Sequence, residues 1–462
     1  MKHIKTNSKL IKKKDIFICT HDKLLDRHKY IKDAINKKAS AIIIDKNINI
    51  KTNIPLIKVK NTNDVLFETA NNYYNNPLNK IKLIGITGTD GKTSTAYLTK
   101  ELLEIFIPCA YLGTNGFIIK NKTYKTKNTT PNITEILKYM NIAIANECKY
   151  LIMEVSSEGL LHNRCNNLIF KEVVLTNIAK DHLNIHKTFN NYLNSKLELF
   201  KKVNNESINI INIDDKYYNN FKNTNNCKTI TYGKNKKANF NFNNIKLKKD
   251  KTEFNLNINN KTYKINSPLI GKFNVYNLVC AIAIVNNLNI NIKDIIDKIK
   301  YIKPVKGRTT YIKNNLNYNI ILDYAHTTQA TKEILTFINN ITTNNIITVV
   351  GCAGNRYQEK RKEIGKLVSD LSTKAIFTMD DPRNEKIENI FKDMCQNTTK
   401  NNIKLIKNRK KAIKYAFKIA KENDYILILG KGEDNYMAIK NKYKNYSDLQ
   451  TIKKILKKKK TN

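Results

Sequence analysis

Nowhere in the 462 residues is there an apolar run of about 18 residues, so no membrane-spanning helix is expected. The opening stretch MKHIKTNSKLIKKKDIF lacks the apolar segment and small-residue cleavage site of a signal peptide, which makes the cytoplasm the expected location. CxxC pairs are missing too. The eight cysteines (Cys19, Cys109, Cys148, Cys165, Cys227, Cys280, Cys352, Cys395) are scattered, with no histidine nearby at zinc-ligand spacing, so reduced thiols packed as small apolar residues are expected. Acidic residues are scarce: 39 Asp and Glu against 82 Lys and Arg leave a formal net charge of +43. A clustered basic face would suit a nucleic acid. Here the lysines are spread along the chain with an excess of Asn and Ile, as in NNYYNNPLNK and IINIDDKYYNN, a bias that AT-rich coding explains, and nucleic-acid binding is not expected. The one concentrated run, Ile452 to Asn462, is expected to be a frayed, solvated end.

What is present suffices for two or three domains, since 41% of the chain is hydrophobic. In residues 1–80, DIFICT and ASAIIIDK are strand-like, and HKYIKDAINKK between them has helical spacing of apolar residues. Residues 81–302 repeat a strand-then-helix rhythm through KLIGIT, KYLIMEV, EVVLTNI and INIINI, with helices such as NYLNSKLELF, which implies a parallel, doubly wound sheet. Between Lys228 and Asn266 the alternation of polar and apolar residues predicts a small antiparallel patch. After Pro304 the rhythm resumes in YNIILDYA, NIITVVGCAG, KAIFTMD and DYILILG, giving a third domain over 303–462 joined through KPVKGR. The expected fold is therefore α/β in three domains: a small α/β N-terminal domain, a central P-loop-type mostly parallel sheet flanked by helices, and a Rossmann-like C-terminal domain.

The stretch IGITGTDGKTST, Ile84 to Thr95, resembles a phosphate-holding loop with two residues between its glycines where the common P-loop has four. Gly88 and Gly91 let backbone N–H groups approach an anion, and a helix from Thr93 to about Phe106 points its positive end at the same place. Lys92 adds a point charge for the outer phosphates, and the Thr93 hydroxyl can join a Mg²⁺ shell. Two further strands end in Glu154 and His182, groups that suit the same metal and phosphates at the carboxyl edge of an open sheet.

Ten stretches carry a resemblance over nearly the whole chain: TGTDGKTST, NTTP, MEVSSEGL, TNIAKDHLNIH, GKFNVYN, KGR, LDYAHT, GCAGNR, DDPR and GKGEDNY. In this order they resemble the Mur ligase family, and among its members those that add the third residue of the peptidoglycan stem peptide. The resemblance implies an ATP-dependent amide-bond ligase acting on UDP-N-acetylmuramoyl-L-Ala-D-Glu through an acyl phosphate, a monomer with small-molecule partners. It implies that Gly88, Thr89, Asp90, Gly91, Lys92, Thr93, Ser94, Asn274 and Asn277 bind ATP, and that Arg308 and Asp323 close over it. Thr93, Glu154 and His182 would hold Mg²⁺, as would Lys196 once carbamylated to N6-carboxylysine. By the residues alone, Lys196 is an ordinary exposed helix lysine.

For the sugar nucleotide the resemblance implies Thr129, Thr130, Ser156, His162 and Arg164 on the muramoyl side and Ser8 on the uridine side. The chain departs from the family pattern in NSK for DSR, Glu158 for a histidine, His162 for a glutamine, Asp90 for an asparagine, and Thr328-Gln329 for Pro-Asp. For the incoming amino acid it implies Arg356, Asp380, Asp381, Pro382, Arg383, Gly430 and Asp434. The planar forks of Arg356 and Arg383 suit two carboxylates, which points to meso-diaminopimelate, with L-lysine the alternative. More remote readings are another Mur or folylpolyglutamate-type ligase and a non-enzymatic, basic nucleotide-binding protein.

Overall fold

The apolar runs become buried strands because parallel strands covered on both faces leave no polar side. In the computed structural model, which describes every residue except Lys2, Asn441, Thr461 and Asn462, the chain groups into two units. The first comprises Met1–Gly88, Thr95–Thr176 and Leu193–Thr231, and the second Thr89–Ser94, Asn177–Tyr192 and Tyr232–Asn462.

The first unit begins with a parallel sheet of four strands in chain order, Ile4–Lys5, Ile16–Ile18, Ala41–Ile44 and Leu56–Lys58. Phe17, Ile42 and Ile44 pack there with Ile31 and Ala34 of the helix Ile31–Asn36. The larger sheet of this unit runs, side by side, Ile208–Asn212, Glu172–Leu175, Lys82–Thr87, Tyr150–Glu154 and Cys109–Gly113, all parallel. Gly116–Ile119 and Lys122–Tyr124 extend it as an antiparallel edge. Register sets the chemistry: Thr87 lies opposite Leu175 and Ile86 opposite Glu154, so the chain leaves these strands along one carboxyl edge.

In the second unit Phe240–Leu247, Thr252–Ile258 and Lys261–Ser267 form the expected antiparallel patch. The patch opens differently from expectation, because Tyr232 and Gly233 pair with Phe240 and Asn241 in parallel. A six-stranded sheet follows in the order Thr310–Ile312, Asn319–Asp323, Tyr425–Leu429, Ile346–Val350, Lys374–Phe377 and Ile403–Leu405, parallel except for its first pair. Alternate residues of one strand serve opposite cores: Leu427 and Leu429 pack with Ile334, Ile338, Val368 and Met394, while Ile426 and Ile428 pack with Ile413, Phe417, Ile452 and Ile455.

Two local expectations are corrected. The phosphate-loop helix is Lys92–Leu103, and Phe106 lies beyond it. The lysine-rich C-terminal run is no frayed end but part of the helix Asp448–Lys460, held down by Ile452 and Ile455, whose three-residue spacing puts them on one face. Its last two residues lie outside the described residues. No helix among the described residues is long and apolar enough to cross a membrane.

Candidate active site

In the first unit the chemistry gathers around Glu154, the last residue of its strand and fully buried. Its Oε1 accepts hydrogen bonds from the Tyr111 hydroxyl at 2.5 Å and the Thr114 N–H at 2.8 Å, and its Oε2 accepts from the Thr114 hydroxyl at 3.2 Å. Gly113 makes room for it, since a Cβ there would stand 2.2 Å from Oε1. Tyr111 and Thr114 were not singled out by sequence, because neither belongs to a recognisable motif.

The residues expected on the muramoyl side, except His162, converge on the same place. The Thr130 hydroxyl donates to the Glu154 carbonyl at 3.0 Å and accepts from the Ser156 N–H at 2.9 Å, and the Arg164 guanidinium donates to the Thr130 carbonyl at 3.1 Å. Burial lowers the Arg164 pKa. Ser156 caps the short helix Ser157–Leu161 by accepting from the Gly159 N–H at 3.0 Å, and Thr129 approaches Thr114, hydroxyl to hydroxyl, at 3.2 Å. His162 is engaged elsewhere, its Nδ1 lying 3.2 Å from an Asp22 oxygen. Ser8 is buried in the turn Ser8–Leu10, where its carbonyl accepts from Lys37 at 2.9 Å.

Lys196 is the main correction to residue-by-residue reasoning. It is only 2% exposed, and its Nζ donates to the carbonyl of Gly88 at 2.6 Å. The helix Phe189–Phe200 packs with this position inward, and the neighbouring Ser195 hydroxyl donates to the Ser157 carbonyl at 2.8 Å.

The second unit holds the rest of the phosphate loop. Asn177 zips it in place: its carbonyl accepts from the Thr89 N–H at 2.7 Å, its side-chain oxygen from the Asp90 N–H at 2.9 Å, and its amide donates to the Asp90 carbonyl at 3.0 Å. Gly91 has φ 82°, a conformation open to glycine, while Thr89, Thr93 and Ser94 are buried. Lys92 folds back so that its Nζ donates to the Thr89 carbonyl at 2.9 Å. Arg308 donates to the Thr93 hydroxyl at 3.3 Å and stacks on Tyr324, 4.6 Å from the ring centre. The Thr327 hydroxyl lies 3.1 and 3.2 Å from the two Asp90 oxygens, whose carboxyl burial pushes above its usual range. Asp323 accepts from the Thr309 and Ala325 N–H groups at 2.5 and 2.6 Å, and burial raises its carboxyl too. Asn274 and Asn277 bond to each other at 3.2 Å on the helix Lys272–Asn287.

His182 has φ 54° and stands 3.5 Å from Asp181. Asp181 is a neighbour that sequence reasoning passed over. Burial opposes its ionisation, yet Lys360 at 3.6 Å, His182 and His326 hold it well below the usual carboxylate range. Burial and Lys360 together push His326 down to about 3, leaving it neutral.

The residues expected at the amino-acid site lie together in the second unit. Arg383, with φ 50°, donates from its guanidinium to the Gly354 carbonyl at 3.0 Å, and its backbone pairs with Ala438 and Lys440. Asp381 accepts from the Ala438 N–H and from Lys431, both at 2.9 Å, and Lys431 is also 3.5 Å from Asp380 and 3.6 Å from Asp434. Gly430 has φ 109°, and a Cβ there would meet Asp380 at 2.4 Å. Pro382 crowds Gly354 in the same way, its carbonyl oxygen lying 2.0 Å from where a Cβ would be. Buried Arg361 binds Glu385 and the Ala353 carbonyl, which ties the segment carrying the partly buried Arg356 to the one carrying Arg383.

Among the described residues no cluster of three or more His, Cys, Asp or Glu could hold a metal ion. The expected metal group is divided by chain position: Glu154 and Lys196 belong to the first unit, Thr93 and His182 to the second.

Comparison with known proteins gives the same direction. Residues 86–285 match the Mur ligase middle domain, and residues 307–432 match the Mur ligase, glutamate ligase domain. The UDP-N-acetylmuramoyl-L-alanyl-D-glutamate–2,6-diaminopimelate ligase of Clostridium tetani is 36% identical over 462 residues, covering 99% of this chain and 95% of that one. The ligase of the same name from Fusobacterium nucleatum is 34% identical, covering 98% and 93%. A solved structure under that name superposes with a TM-score of 0.68 at 25% identity, over 99% of this chain and 95% of that one. The chain is thus a ligase of the Mur ligase family.

Proposed function

We propose that this ligase uses ATP to join meso-diaminopimelate to UDP-N-acetylmuramoyl-L-Ala-D-Glu. The observation that carries the acceptor is the cluster around Arg383: a guanidinium suited to a carboxylate stands in the same unit as Asp381 and Asp434, which suit an ammonium. The relatives' names support the same acceptor. In this reading residues 1–80 take the nucleotide-sugar, 81–302 hold ATP, and 303–462 bring the amino acid.

Lys92, Thr93 and Arg308 face the phosphates, and the γ-phosphoryl group passes to the peptide carboxylate, giving an acyl phosphate. The deprotonated amine of the acceptor attacks the acyl carbon, and orthophosphate leaves as the amide forms. Glu154 and Thr93 supply the hard oxygens that suit Mg²⁺, while the imidazole of His182 suits it less well. As an ammonium, Lys196 opposes a cation, and it fits only as a carbamate. Mg²⁺ would neutralise charge on the phosphate oxygens when bound.

Phosphate release with UDP-N-acetylmuramoyl-L-Ala-D-Glu, ATP and either meso-diaminopimelate or L-lysine tests this. Expected is a kcat/KM for diaminopimelate more than about a hundredfold that for lysine, since a site built around a paired charge rejects a ligand that leaves it unpaired. Equal use of lysine, or a preference for it, sinks the acceptor assignment and leaves the ligase.

A further inference from the structure

Lys431 is 1% exposed, yet carries a charge among three carboxylates: Asp381 at 2.9 Å, Asp380 at 3.5 Å and Asp434 at 3.6 Å. These come from two chain segments. Asp380 and Asp381 follow the strand Lys374–Phe377, while Lys431 and Asp434 follow Tyr425–Leu429, and in the sheet the strand Ile346–Val350 separates the two. The loops must therefore meet over the end of the intervening strand, about 10 Å of sheet width apart at their roots. Two glycines allow this. A Cβ on Gly351 would lie 2.4 Å from the Thr378 carbonyl oxygen, and one on Gly430 would lie 2.4 Å from an Asp380 oxygen.

We propose that Lys431 is a positioning residue for the acceptor: its ammonium joins the Asp380–Arg383 loop to the loop bearing Asp434, fixing the separation between Arg383 and Asp434 that a diamino acid must match. The inference rests on the proposed acceptor site. Arg409 is a second cation acting on Asp380, whose carboxyl burial pushes up, so the ammonium fastens the loops while Asp434 is left to attract a cation. Backbone pairing carries the restraint onward: the residue joined to Lys431, Asp381, is two positions from Arg383, whose N–H and carbonyl are bonded to Ala438 and Lys440. The Lys431 ammonium also lies 5.1 Å from the Tyr436 ring centre, which orients it from a further side.

The test is steady-state kinetics of Lys431→Met, Lys431→Arg and the unaltered enzyme, with each of the three substrates varied in turn. Lys431→Met should raise KM for the acceptor about tenfold or more, leave KM for ATP and for the nucleotide-sugar within about twofold, and Lys431→Arg should recover part of the loss. An unchanged acceptor KM, or an equal rise in all three, overturns the proposal. Should Lys431→Met fail to fold, Lys431→Arg decides alone: it moves the charge and should raise the acceptor KM selectively, and no selective rise overturns the proposal. If the unaltered enzyme releases phosphate with neither diamino acid, the acceptor reading itself fails and takes this inference with it. If it prefers L-lysine, the acceptor KM is read with lysine, and the two questions stay separate.

Discussion

Lys196 concentrates the problem of charge at the residue scale. A buried ammonium is costly unless its charge is offset, and beyond the Gly88 carbonyl the carbamate reading supplies a reason for the burial: CO₂ added at Nζ turns a cation into an oxygen ligand. Lys196→Ala should lower turnover by more than about a hundredfold, and added acetate or formate should restore part of it by filling the vacated position. Absence of rescue together with an unmodified lysine by mass spectrometry would remove the carbamate. Arg383→Ala should raise the acceptor KM by the equivalent of about 2–4 kcal/mol and leave the ATP KM nearly unchanged, because it removes the guanidinium proposed to pair with the acceptor's distal carboxylate. Asp434 adds a pH dependence. Burial pushes its carboxyl up to about 6 against the pull of Lys431, so the anion proposed to take the acceptor's ammonium is lost as pH falls through that value. The acceptor kcat/KM should rise through about pH 6 to a plateau, and Asp434→Asn should abolish that limb.

At the scale of elements, the C-terminal helix Asp448–Lys460 is fastened at its first residue. Buried Arg409 donates to Asp448 at 2.7 and 2.9 Å and to the Leu429 carbonyl at 2.7 Å, one residue before Gly430. Removing the cation strands a buried carboxylate. Arg409→Leu should therefore destabilise the protein by about 3–5 kcal/mol in urea unfolding, far more than loss of an exposed pair would. A loss under about 1 kcal/mol would show that the pair is dispensable. The helix itself was half legible: Ile452 and Ile455 are spaced for one face, but the surrounding lysines make the run look solvated. The strands were easier, because YILIL and the LIGI within Lys82–Thr87 are continuous apolar runs and only a strand covered on both faces accommodates that.

For the molecule as a whole, the charge of +43 tests whether composition makes a binding surface. With the lysines distributed rather than grouped, filter binding at physiological salt should give no nucleic-acid affinity tighter than about 1 μM and no saturable specific site; a tighter, steeply salt-dependent isotherm would count against the reading. The sequence by itself determined the α/β class, the position of Lys92 and Thr93 between a strand and the start of a helix, and the motif order that marks the family, since these depend on local periodicity and short spacings. Tertiary structure alone decided that Lys196 is buried, that Tyr111 and Thr114 orient Glu154, and that Lys431 meets the Asp381 carboxylate 50 residues away. The physical reason is that burial and charge pairing depend on which helix face meets the sheet and which loops cross its edge, and neither is encoded within one stretch of chain.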